Sequence, residues 1–158
     1  MTQLQELQVG SLVADFELPS TGDKQFKLSD HRGKAIVIYF YPKDNTPGCT
    51  LEGQQFRDNI ATFNDHNTII IGISRDTIRK HENFKTKHEF PFDLLADEQE
   101  VACSIFGVVQ LKKNYGREYM GIVRSTFLID ENGILRNEWR KVKVKDHIAE
   151  VLAAVQAL

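Results

Sequence analysis

The run Ala35-Ile36-Val37-Ile38-Tyr39-Phe40-Tyr41, followed at once by Pro42-Lys43-Asp44-Asn45-Thr46-Pro47-Gly48-Cys49, decides how this chain folds. The first part is apolar throughout and rich in β-branched and aromatic residues, as expected of a central strand buried on both faces. The second part ends that strand and starts a helix. Proline disfavours helical geometry at the residue before it, as an N-cap requires, and is itself tolerated at the first helical position, so Thr46-Pro47 marks the start. Cys49 then falls in the first turn. Backbone N–H groups without intrahelical partners gather there, and the positive end of the helix dipole favours thiolate over thiol. A cysteine so placed is a nucleophile.

Working outward, Asp15 to Leu18 and Gln25 to Leu28 read as brief strands around the turn Ser20-Thr21-Gly22-Asp23, after a short irregular start. Beyond Cys49, Leu51, Phe56, Ile60 and Phe63 form an apolar stripe at roughly helical spacing, and Thr68 to Ser74 is a second buried strand. Thr77 to His88 reads as a polar helix and Glu98 to Phe106 as a shorter one. Ser125 to Asp130 is a third core strand, and Asp130-Glu131-Asn132-Gly133 a hairpin turn leading into Ile134 to Trp139. Asp146 to Leu158 closes the chain as an amphipathic helix. This order predicts a thioredoxin-like α/β fold, a central mixed sheet flanked by helices with an N-terminal β-hairpin extension, in one domain over residues 1–158.

The composition, 41% hydrophobic and 27% charged, supports a sizeable core, and a net charge of -2 gives no electrostatic case for nucleic acid. The basic run Arg140 to Lys145 alternates charge with valine and reads as a half-exposed strand end. The start of the chain lacks the basic and apolar regions of an export signal, and no apolar run reaches the ~18 residues of a membrane span, so a cytoplasmic protein is expected. Two cysteines, Cys49 and Cys103, are too few for a secreted disulfide framework. Without a Cys-x-x-Cys pair, neither a thioredoxin-type disulfide exchanger nor a structural zinc site is indicated. His31, His66, His81, His88 and His147 form no ligand pattern and read as solvated surface, and no metal or cofactor is called for.

The motif Pro42-x-x-x-Thr46-x-x-Cys49, with the distant stretch Arg124-Ser125-Thr126-Phe127-Leu128-Ile129-Asp130, resembles the peroxiredoxins of the AhpC/TSA superfamily. The longer string Phe40 to Thr50 is most similar to the bacterioferritin comigratory protein, or peroxiredoxin Q, subfamily, and the likeness runs from Val9-Gly10 to the final helix. The resemblance implies a thiol peroxidase whose Cys49 attacks the O–O bond of a peroxide. By the same resemblance Arg124 would favour the thiolate and hold a peroxide oxygen, and Thr46 would cap the helix and place its hydroxyl at the sulfur. Pro42 would shield the pocket from bulk water, the Cys49 backbone N–H would donate to the substrate, and Glu52 would pair with an arginine and steady it.

Many relatives in this subfamily carry a resolving cysteine five residues after the peroxidatic one, where this chain has Gln54. Others place it in the following helix, in a segment resembling His81-Glu82-Asn83-Phe84-Lys85, and no cysteine is there either. Cys103 remains, reading as a buried small apolar residue toward the edge of the apolar face that Val101, Ala102, Ile105 and Phe106 mark on its helix. A one-cysteine cycle is therefore expected, with the sulfenic acid resolved by thioredoxin or by glutathione with glutaredoxin, in a monomer. A two-cysteine cycle through Cys103, a peroxide-sensing thiol relay and an unreactive structural module are the alternatives.

Overall fold

A computed structural model describes residues 7–158, so the irregular start expected of the chain lies largely outside the described residues. Strands β1 (Glu17–Ser20) and β2 (Lys24–Lys27) form the expected hairpin, followed by a 3-10 turn over Leu28–His31. Then come β3 (Ala35–Phe40), α1 (Pro47–Asp58), α2 (Ile60–Asp65), β4 (Thr68–Ser74), α3 (Ile78–His88), β5 (Asp93–Ala96) and α4 (Val101–Phe106). The chain continues through β6 (Val109–Asn114), β7 (Arg117–Ile122), β8 (Ser125–Ile129), β9 (Leu135–Arg140) and α5 (His147–Gln156).

Seven strands form one mixed sheet in the order β2-β1-β5-β4-β3-β8-β9. The pairs β3/β4 and β4/β5 are parallel, while β3/β8, β8/β9, β1/β2 and β1/β5 are antiparallel. All six residues of β3 are buried, because side chains alternate across a sheet that is covered on both faces. Ile36, Ile38 and Phe40 pack with Ile71, Ile73, Phe106 and Phe127 on one face; Val37, Tyr39 and Tyr41 pack with Phe56, Phe63, Phe84 and Val151 on the other. Each such side chain, fully withdrawn from water, contributes roughly 1.5–3 kcal/mol. Helix α4 covers the first face, and α1, α2, α3 and α5 cover the second.

The structure departs from the expected elements in several places. The four-residue strand β5 carries no β-branched residue, and its pairing with β4 and with Ser20 of β1 makes it a strand. The β6–β7 ribbon is mostly exposed and polar, which hides strand periodicity; a two-residue Tyr115-Gly116 loop with both residues at positive φ closes it. Helix α4 starts later than Glu98, because Asp97 accepts the backbone N–H of Val101 at 2.7 Å and of Cys103 at 2.8 Å. Only the first residue of the basic run is a strand end: β9 stops at Arg140, and Lys141 turns to φ 54°. Leu51 leaves the expected apolar stripe at 46% exposed, and Glu52 takes the inward position. Among the described residues no helix is long and apolar enough to cross a membrane.

Candidate active site

Strand β3 delivers the chain into a tight turn above the sheet, with Pro42 half-buried at its start and Asn45 at φ 64°. Thr46 has extended N-cap geometry (φ -84°, ψ 151°), Pro47 is the first helical residue, and Thr46 O accepts from Thr50 N at 2.9 Å. The Thr46 hydroxyl departs from expectation. It donates back to the Lys43 carbonyl at 2.8 Å and does not cap the helix, so it tightens the turn ahead of the cysteine. Cys49 follows in the first turn of α1, buried against the second face of the sheet.

Arg124 lies on the link between β7 and β8, where its carbonyl accepts from Val142 N at 2.9 Å. Its guanidinium forks: Nη2 donates to Cys49 Sγ at 3.3 Å and Nη1 donates to Glu52 Oε1 at 2.7 Å. Gly48 leaves the room, since a Cβ there would stand 3.1 Å from Nη2. Burial works against the charge of Arg124, but Glu52 and Cys49 outweigh it and raise its pKa further. Glu52 is 0% exposed, and burial pushes its carboxyl up to about 7 in spite of Arg124. On β6, Lys112 has its pKa lowered by burial and by Arg124, with Cys49 acting the other way, so a second cation borders the site. A thiolate in this setting faces a fixed cation, and an oxygen charge developing beside it would meet the same donors.

Cys103 sits elsewhere. It is 1% exposed, on the buried face of α4 with Ala102 and Phe106 and not at that face's edge, and belongs to the core cluster on the opposite face of the sheet from Cys49. Burial raises its thiol far above the ordinary range, with Asp97 adding to the effect.

The AhpC/TSA family model matches residues 9–138. Peroxiredoxin Bcp of Bacillus subtilis is 52% identical over 150 residues, 95% of this chain and 96% of that protein. The chain belongs to the peroxiredoxins of the AhpC/TSA family. Peroxiredoxin Bcp of Xanthomonas campestris is 43% identical over 151 residues, 96% of this chain and 94% of that one. A solved structure of Xanthomonas campestris peroxiredoxin Q superposes with a TM-score of 0.89 at 43% identity, covering 96% of each chain. The fold is the thioredoxin-like one expected, in its Bcp and peroxiredoxin Q form.

What the sequence did not disclose about this peroxiredoxin is the polar network holding the turn before Cys49. Asp44 Oδ1 accepts from Tyr41 Oη at 2.6 Å, Asp44 Oδ2 stands 2.7 Å from His81 Nδ1, and Asp44 N donates to Asp76 Oδ2 at 2.9 Å. His81 Nε2 donates to the Leu95 carbonyl at 2.9 Å, and Ser74 Oγ to Asp76 at 2.6 Å. The reading of every histidine as surface is thereby corrected. His81 is 0% exposed and His147 2%, the latter 2.8 Å from Thr126 Oγ1 with its pKa pushed down to about 4 by burial and then by Arg124; His31 and His88 are half-buried. Both fully buried rings have polar partners, and those partners come from strands and turns remote in sequence, which spacing does not reveal. Asp44, Asp76 and His81 together could offer ligand atoms to a metal ion within 4.8 Å of one another, but the hydrogen bonds just described already engage them.

Gly53 is also explained by packing. A Cβ at Gly53 would meet Phe90 Cζ at 2.5 Å, so the glycine lets α1 lie against the Phe84–Phe90–Phe92 stack.

Proposed function

We propose that this peroxiredoxin reduces hydrogen peroxide and small organic hydroperoxides by a one-cysteine cycle on Cys49. The observation that carries the reading is the Arg124 fork, which joins Cys49 Sγ to Glu52 through one guanidinium. The thiolate attacks one peroxide oxygen, the O–O bond breaks, and its electron pair leaves with the other oxygen as RO⁻. Sulfur is oxidised to sulfenic acid and the peroxide reduced to an alcohol, or to water, once that oxygen is protonated. Arg124 supplies donors to the charge as it moves from sulfur to oxygen, and Thr46 and Pro42 shape the turn that presents the sulfur. Organic substrates are included because a related structure, 42% identical, is of a Xanthomonas campestris protein described by its alkyl peroxide reduction activity.

The sulfenic acid is then resolved by an external thiol, thioredoxin or glutathione with glutaredoxin, acting on a monomer in a reducing compartment such as the cytoplasm. Support for the one-cysteine cycle comes from Cys103, separated from Cys49 by the thickness of the sheet and held as a thiol by burial. A disulfide needs Cα atoms within about 7 Å, and two residues in cores on opposite faces reach that only by unfolding.

Mass spectrometry after one equivalent of peroxide tests the cycle. A dimedone-reactive oxygen adduct on Cys49 is expected, together with loss of peroxidase turnover in Cys49→Ser and its retention in Cys103→Ala. Turnover in Cys49→Ser, or a Cys49–Cys103 disulfide, would overturn it. Single-turnover oxidation that neither reductant reverses would identify a sensor.

A further inference from the structure

Resting on the reading of Cys49 as the peroxidatic thiol, we infer that Glu52 stores a proton in the reduced protein and gives it up when Cys49 is oxidised, balancing the proton taken by the leaving oxygen. Two acids share one cation here: Glu52 Oε1 and Cys49 Sγ lie on the two arms of the Arg124 guanidinium, at 2.7 and 3.3 Å. Were both ionised, the Arg124 guanidinium would face two negative charges with its one positive charge. Glu52 is 0% exposed and its Oε2 has no hydrogen-bond partner among the described residues. A bare carboxylate oxygen withdrawn from water is far more costly than an unpaired neutral O–H, so the proton belongs on Oε2 while Oε1 accepts from Arg124.

The other groups around Glu52 leave it that role. Tyr39 on β3 is fully buried, its hydroxyl has no partner among the described residues, and burial above all keeps it protonated. His147 on α5 is held neutral by burial and Arg124, and Lys112 on β6 acts on Cys49 and Arg124 and is not among the groups that shift Glu52. Among the described residues only Arg124 opposes protonation of Glu52, and burial outweighs it, with a midpoint of about 7.

Oxidation removes the competitor. In Cys–S⁻ + Glu–COOH + ROOH → Cys–SOH + Glu–COO⁻ + ROH, sulfur loses two electrons, the O–O bond takes them, an S–O bond forms, and the proton lost by Glu52 equals the one gained by RO⁻. With sulfur neutral, the whole field of Arg124 falls on Glu52 and favours its carboxylate. The charge of the buried site is the same before and after, which spares it an uncompensated ion at either stage.

Infrared difference spectroscopy, reduced minus oxidised by one equivalent of peroxide at about pH 6, below the Glu52 midpoint of about 7, reads this directly. The expected result is loss of a protonated-carboxyl C=O band and gain of a carboxylate band on oxidation, both missing in Glu52→Gln. Carbon-labelled glutamate in the native protein moves the same bands by the isotope effect and serves if the variant does not fold. A difference spectrum without carboxyl bands, from protein whose Cys49 has gained one oxygen by mass, overturns the proton store and leaves the peroxidase reading standing. Failure of Cys49 to gain that oxygen overturns both.

Discussion

Acid separates the two buried titratable groups that flank Arg124, and it does so with opposite signs. His147 binds its proton at 6.5 when unfolded and only near 4 when folded. The stability it contributes is therefore complete above 6.5 and is lost as pH falls through that window to about 4. At about 1.4 kcal/mol per pH unit the loss is about 3 kcal/mol, undiminished by solvent because the residue is 2% exposed. Glu52 runs the other way. Its carboxyl binds a proton near 4.5 unfolded and near 7 folded, so its contribution is complete below 4.5 and is lost as pH rises through about 7, again about 3 kcal/mol. Between 4.5 and 6.5 the two offset each other in the native protein. Single variants uncover each: relative to the native protein, His147→Gln gains about 3 kcal/mol as pH falls across its window, and Glu52→Gln loses about as much across its own. Gln is chosen because its amide reaches about as far as His147 Nε2, which meets Thr126 Oγ1 at 2.8 Å in the native protein. Urea unfolding followed by circular dichroism at stepped pH measures both differences. If either difference stays constant within about 0.5 kcal/mol across the range, the assignment of that group is refuted.

Arg124→Met removes a donor aimed at sulfur and at the developing oxygen charge, and should slow Cys49 oxidation roughly 100-fold or more; competition kinetics against a reference peroxidase would expose a change under about threefold as a failure. Gly53→Ala should destabilise by about 1–3 kcal/mol although alanine is the better helix former by about 1 kcal/mol, because the new Cβ would lie 2.5 Å from a rigid Phe90 ring; a raised Tm would show that the stack yields. Asp44→Ala leaves His81 and Tyr41 without their buried acceptor and should cost about 3–5 kcal/mol in urea unfolding, while a cost below about 1 kcal/mol would mean the network does not hold the turn.

The sequence by itself determined the strand-turn-helix that carries Cys49, because each step there is local: an unbroken apolar run, a proline fixing the dihedral of its neighbour, a helix start two residues before the thiol. It also determined the order of the main strands and helices, since burial on one face or both imposes a period that composition displays. Strand β5 and the β6–β7 ribbon escaped because their strand character comes from partners, not from pattern. So did the fate of the polar residues. Glu52 inside and Leu51 outside reverse what hydrophobicity alone suggests, and the inversion makes sense only with Arg124, 72 positions away in the chain, standing over Glu52. The Thr46 hydroxyl turning to Lys43, Asp44 meeting His81, and Cys103 lying across the sheet from Cys49 are of the same kind. A buried charge or hydrogen bond is decided by what sits opposite it, and only the tertiary structure brings those opposites together.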